Sequence, residues 1–277
     1  MSLVGHVAST VVFFYADLLM RGYLNASGLN GALTVANSAS DAGYSNTSGY
    51  SDEYRNYREQ SDGFVKDYLE DISMPGWKET RKRHGITIKE LYFTKYKRSV
   101  FMGEVFVKHP IQDVCMILWD RAHEVPEWYY DTEFVRMIKE WDDMRISYQA
   151  SKRVGLVQAR DYVMVNRRVD EPDRGLVYLV FASTTYKDLP ELDDVVRAES
   201  GPAGYQLVTT TQEDVNGNKV DGTMIRWILN MNMKLPAIVP QSILNRLLPI
   251  SMVEFLKKLN ERLDSTYQTS NNDVNSA

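Results

Sequence analysis

The sequence contains one cysteine, Cys115, in 277 residues. A disulfide within the chain is thereby excluded, and a reducing compartment is favoured. Cys115 sits in the apolar run Val114–Leu118 and reads as a buried structural thiol rather than a nucleophile. Cationic surplus is missing too: 32 Lys and Arg stand against 37 Asp and Glu, a net charge of −5. That argues against a nucleic-acid partner, because phosphate binding draws on a basic patch or excess. Histidine is scarce, with only His6, His84, His109 and His123. There is no Gly-x-Ser-x-Gly elbow, no His-Glu-x-x-His and no phosphate-binding glycine loop. Cys115 and His123 would lie two turns apart on a helix, too far for direct proton transfer. No catalytic residue, metal or cofactor is expected. A clean long apolar run is also lacking. Residues 1–20 form an apolar segment whose core, Leu3–Met20, is interrupted by His6 and Asp17 and preceded by no basic residue. It lacks the positive start of a signal peptide and is marginal as a span of about 20 apolar residues. Whether it touches a membrane is left open.

What is present is the composition of an ordinary globular chain, 44% apolar and 25% charged. Residues 21–52 are rich in Ser, Asn, Gly and Ala, with too little to bury to offset their ordering entropy, and read as a flexible linker. A charged helix is expected from Asp52 to Ile72, and Met74-Pro75-Gly76-Trp77 marks a break. The folded domain is placed at 53–267 and a disordered tail at 268–277. Strands are predicted at Glu90–Tyr96 and Val100–Val107 with a turn at Lys97-Arg98-Ser99, then at Arg145–Ala150, Asp161–Val169, Leu176–Thr184, Tyr205–Thr211 and Thr223–Met231. Asn216-Gly217 supplies hairpin chemistry between the last two. Ile111–Ala122 reads as a helix. Leu244, Leu247, Leu248, Met252, Phe255, Leu256, Leu259 and Leu263 recur at steps of three and four, the apolar stripe of a long amphipathic helix. Antiparallel strands followed by one such helix imply an α+β fold in which a curved sheet grips the terminal helix.

Several motifs occur in one order at compatible spacings: Gly76-Trp77-Lys78, Arg160-Asp161-Tyr162-Val163, Val196-Arg197-Ala198-Glu199-Ser200-Gly201-Pro202, Arg226-Trp227-Ile228-Leu229-Asn230, and Leu235-Pro236 onward to Leu263. Together they resemble the START lipid-transfer family, within it the branch of StAR and its late-endosomal sterol-transfer relatives, from about Trp77 to Ser265. The resemblance implies a helix-grip fold whose cavity encloses one lipid. It further implies intracellular transfer between membranes, in the cytoplasm or at an endosomal or other organelle membrane, by a monomer that meets a membrane surface only transiently. An amphipathic helix over a concave sheet supports such a cavity independently. Enclosing several hundred Å² of lipid would contribute on the order of 10 kcal/mol before ordering costs.

Sterol-binding relatives carry an acid and an arginine facing each other inside the cavity. On the resemblance, Gln149 stands at the acid position and Asn166 at the arginine position, so both charges are gone. Two readings follow: the amides hold a hydroxyl or keto group of the ligand, or they satisfy only each other. Strand alternation turns Arg226 outward and Ile225, Trp227 and Leu229 inward, and puts Tyr162 and Met164 on the face of Asn166. With Ser147, Trp128, Tyr129 and the helical Leu248, Met252 and Phe255, these form the candidate lining. Pro249 should kink the helix. The loop Tyr186–Asp194 is either the mouth or an ordinary solvated loop. A sterol or a carotenoid is the expected cargo. Two other classes stay in view, a lipid-sensing or tethering module and a helix-grip enzyme.

Overall fold

Along each strand successive side chains point to opposite faces, so a sheet buried on both faces needs two apolar sets, and this chain supplies both. The computed structural model describes residues 51–153, 158–235 and 241–275, with side chains left aside at 241–243 and 267–275. The apolar segment at 1–20 and residues 21–50 of the linker lie outside the described residues. The chain divides into units Met1–Asn56 and Tyr57–Ala277, and, residues 52–56 at the start of the first helix apart, the second carries all that follows.

Helix α1 (Asp52–Ser73) leads into strands β1 (Lys78–Arg83), β2 (Ile86–Phe93) and β3 (Arg98–Val107). Helix α2 (Ile111–Cys115) then widens into a π-helical turn at Met116–Asp120, and α3 (Val125–Trp128) follows. Next come β4 (Thr132–Glu140), β5 (Met144–Ser151), β6 (Arg160–Glu171) and β7 (Leu176–Ser183), and the short β8 (Val196–Arg197) and β9 (Glu199–Ser200). The chain continues with β10 (Ala203–Glu213), β11 (Lys219–Leu229), β12 (Met231–Asn232) and α4 (Gln241–Asn275). The main sheet runs β1-β2-β3-β11-β10-β7-β6-β5-β4, with β8 beside β6 in the one parallel pairing among the described strands. All its other pairings are antiparallel.

The outer face carries Phe93, Val100, Met102, Tyr178, Val180 and Ile228, covered by Val65, Tyr68, Leu69 and Ile72 of α1. The inner face carries Ile86, Ile88, Phe101, Val105, Leu179, Tyr205, Leu207, Ile225 and Trp227, covered by α2 and α4. Helix α4 lies against β1, β2, β3 and α3. It packs tightly over Gly103, where an added Cβ would sit 2.8 Å from Leu256 Cδ1 and 3.3 Å from Met252 Cε. A side chain there would push aside the ends of the Leu256 and Met252 side chains.

Several expectations are revised. Strands β1 and β4 were not foreseen: β1 is almost wholly exposed and charged, and β4 follows the sheet edge with two bulges that interrupt its alternation. The hairpin between β2 and β3 turns at Thr94–Lys97, with Lys97 at φ 54°, rather than at Lys97–Ser99. The helix from Ile111 ends at Asp120, before the predicted Ala122. The terminal helix runs on through Asn275 where a disordered tail was expected from 268. No proline or glycine interrupts residues 264–275, and a helix nucleated on a packed stripe propagates at low cost.

Candidate functional site

The site is built around Phe255 of α4. Its ring lies 4.8 Å from that of Trp227, 5.0 Å from Tyr129, 5.3 Å from Trp128 and 6.5 Å from Tyr205. Tyr205 stacks on Trp227 at 5.7 Å because β10 and β11 pair these two residues directly. Alternation places them there: Arg226 and Gln206, one residue away on each strand, meet in the open on the other face. Ile225, Trp227, Leu229, Met252, Phe255 and Tyr129 belong to this one cluster, with Trp128, Leu248 and Phe181 packed at its margin. Tyr162 and Met164 form an adjoining cluster with Ala198, against which Phe181 and Met231 pack.

Discrete polar contacts tie α4 to its surroundings. The Tyr129 hydroxyl lies 2.8 Å from Ser251 Oγ and 3.1 Å from Asp131 Oδ2. Arg262 donates to Glu124 at 2.7 Å, and His109 Nε2 is 2.7 Å from Asp264 Oδ1. Arg121 and Arg262 hold the Glu124 carboxyl below its ordinary range. Burial is the main reason that the Tyr129 hydroxyl is raised well above the usual tyrosine value. Tyr129→Phe is expected to cost about 1 kcal/mol, seen as a fall of roughly 2–4 °C in Tm. An unchanged Tm would mean that the hydroxyl contacts do not hold the helix.

The register of β5 and β6 corrects the reading of the polar end. Gln149 lies opposite Tyr162, whereas Asn166 lies opposite Arg145. The two amides share a face but are four residues apart along the ladder, so they do not meet. Asn166 Nδ2 instead donates to Ser147 Oγ at 2.8 Å and to backbone carbonyls of Arg145 and Met164. Gln149 is only half-buried. Arg145, which sequence reasoning passed over, is buried on the inner side. Its guanidinium lies 3.9 Å above the Trp119 ring and donates to the Trp119 carbonyl at 2.7 Å. Tyr205 and Phe181 were also missed, although inward alternation from the Tyr205–Thr211 and Leu176–Thr184 strands would have found both.

The recurring motifs turn out to be joints. Asp161, 1% exposed, accepts from Arg197 Nε at 2.9 Å and Nη2 at 3.0 Å, and from the Tyr148 hydroxyl at 3.0 Å. Arg197 also donates to the carbonyls of Leu189 and Pro190, which fastens the candidate mouth loop to β6. Burial and the Asp161 carboxylate push the Tyr148 hydroxyl up to about 12. Gly201 packs against the fully buried Asn230, where an added Cβ would meet Nδ2 at 2.4 Å. Asn230 accepts from Arg98 at 2.9 Å. A separate cleft of about 350 Å³ is lined by Ile111, Cys115, Arg168, Asp170 and Val177 among others. Burial pushes the Cys115 thiol up to about 11, away from the range of a reactive thiolate. Among the described residues no group of three or more His, Cys, Asp or Glu could hold a metal. No described helix is long and apolar enough to cross a membrane.

Comparison with known proteins agrees with this architecture. The family model described as START domain matches residues 59–269. The mitochondrial steroidogenic acute regulatory protein of Bos taurus is 26% identical over 227 residues, covering 78% of this chain and 74% of its own length. That of Homo sapiens is 27% identical over 221 residues, with the same coverage of 78% and 74%. Among solved structures, human StAR-related lipid transfer protein 5 superposes with a TM-score of 0.66 at 16% identity, covering 77% of this chain and 99% of the other. That likeness is one of fold.

Proposed function

The chain belongs to the START domain family, and from that premise we propose that it is a lipid carrier rather than an enzyme. It takes up one sterol-like or carotenoid-like lipid, shields it between the inner face of the sheet and α4, and releases it at another membrane. The observation that carries this reading is the apolar, aromatic inner face covered by the long amphipathic helix α4, with α2 beside it. That roof is fastened at its edges by a few polar contacts, Tyr129–Ser251, Glu124–Arg262 and His109–Asp264. Apolar surface makes a lipid comfortable inside, and separable contacts let a roof open. The names of the relatives, steroidogenic and lipid-transfer proteins, point the same way. The carrier works as a monomer in the cytoplasm, meeting endosomal or other organelle membranes transiently.

The test is native mass spectrometry of the protein from its own source, with extraction of any bound lipid, followed by transfer between liposomes. A stoichiometric sterol or carotenoid and measurable transfer are the expected results. Stoichiometric binding without transfer would favour a sensor, and turnover of the bound molecule would favour an enzyme. Lipid affinity is expected to stay flat between pH 5 and 8. Asn166, Ser147 and Gln149 do not titrate, and Arg145, drawn down by burial to about 10, stays charged throughout. An affinity that follows a single ionisation in that interval would contradict this account of the polar end.

A further inference from the structure

Four buried side-chain nitrogens among the described residues have no hydrogen-bond partner: Trp77 Nε1, Arg145 Nε, Arg167 Nε and Trp227 Nε1. Trp77 packs in the outer cluster under α1, and Arg167 keeps a carboxylate partner in Asp143. Arg145 is a different case. It is 5% exposed, and no carboxylate within ion-pair distance of it is found among the described residues. Its guanidinium donates to one carbonyl, that of Trp119, and lies over the face of the same indole, while the carboxylates of Asp120 and of Glu140, opposite it on β4, act on it from beyond ion-pair distance. The charge is thus partly compensated, but its Nε–H is buried with no acceptor, and native proteins keep such a donor where something else completes it. Trp119 belongs to the same inner cluster as Trp227 and Phe255, and Asn166 lies directly opposite Arg145 across the ladder. The unfilled donor therefore stands on the inner side of the sheet, beside Asn166 and Ser147.

We propose that Arg145 receives the oxygen at the polar end of the bound lipid, so that the cargo is one whose terminus accepts a hydrogen bond: a ketone or a hydroxyl oxygen on an otherwise apolar body. The inference rests on the carrier reading and deepens it. It moves the polar end of the ligand from Gln149, opposite Tyr162, to the stretch of β5 beneath Trp119. A guanidinium has five donors and no acceptor, so a ketone serves it as well as an alcohol, and a hydrocarbon cannot serve it at all. Trp227 Nε1, the other orphaned donor on the inner face, is likewise blind to the difference between ketone and alcohol oxygen.

The test needs no mutation to begin. The full chain is titrated with cholestan-3-one, cholestan-3-ol and cholestane, and in parallel with a carotene and its ring ketone, by competition or by native mass spectrometry. Whichever scaffold binds, the oxygenated forms are expected to bind about 10- to 100-fold more tightly than the parent hydrocarbon, with ketone and alcohol close together. Arg145→Met should bring the oxygenated forms down to the level of the hydrocarbon, whose own affinity stays unchanged, and Arg145→Lys should restore part of the gap. Equal binding of oxygenated and parent forms by the unmutated chain would overturn the inference and leave the carrier reading standing. So would a folded Arg145→Met protein that keeps the preference. If neither scaffold binds, both fall together. Should Arg145→Met fail to fold, the ligand series on the unmutated chain decides alone.

Discussion

Asp161→Ala is expected to lower the unfolding free energy by about 3–5 kcal/mol, the range for breaking a buried ion pair from one side. Asp161 is 1% exposed and its partner Arg197 has a side chain 13% exposed, so water does little to screen or replace the contact. Removing the carboxylate strands a guanidinium that is held near the buried carboxylate in a two-point grip, and it also takes the acceptor from the Tyr148 hydroxyl. The double variant Asp161→Ala with Arg197→Met should recover part of the loss, because no charge is then left unpaired. Urea unfolding measures this as a shift of the midpoint at constant slope. A loss under about 1 kcal/mol would mean that the pair behaves as an exposed one. Because Arg197 also holds the Leu189 and Pro190 carbonyls, protease cleavage within Tyr186–Asp194 should quicken in both variants.

Phe255→Ala is expected to cost about 3–5 kcal/mol, as for other buried phenylalanines. The ring, carried by α4, meets four aromatic neighbours from three other parts of the chain: Tyr205 of β10, Trp227 of β11, and Trp128 and Tyr129 of the α3 segment. Its removal leaves a void where helix and sheet meet. Phe255→Leu keeps most of the volume and should cost less than about 1.5 kcal/mol. Thermal or urea unfolding gives the stability, and release of a bound fluorescent lipid gives the function. Release is expected to quicken several-fold in Phe255→Ala, since opening the roof then breaks fewer contacts. Unaltered release from a destabilised protein would show that α4 does not gate the ligand.

Much of this was legible in the chain. The steps of three and four from Leu244 to Leu263 placed the terminal helix and its buried stripe, and Met252, Phe255, Leu256, Leu259 and Leu263 are all buried. Alternation around Arg226 correctly sent Trp227 inward. The charged strand Lys78–Arg83 was not legible, because β1 hangs on the sheet edge through backbone hydrogen bonds and needs no apolar face. Nor was β4, whose bulges break the period of two. Val253 escaped the helical stripe although it is buried, since α3 and the sheet embrace the helix over a wider arc than one row of leucines suggests.

The sequence by itself determined which residues point inward, because that depends on the period of a strand or helix and on the chemistry of immediate neighbours. It also determined the family, through motifs whose order is read directly from the chain. Only the tertiary structure decided who stands opposite whom. Pairing between β5 and β6 spans a connection whose length no local rule constrains, and sliding one strand by two residues keeps every side chain on its face while changing every partner. That freedom is why Gln149 and Asn166 could be paired in the sequence, and why in the fold Asn166 faces Arg145 and bonds Ser147, while the buried Arg145 Nε stands without a partner.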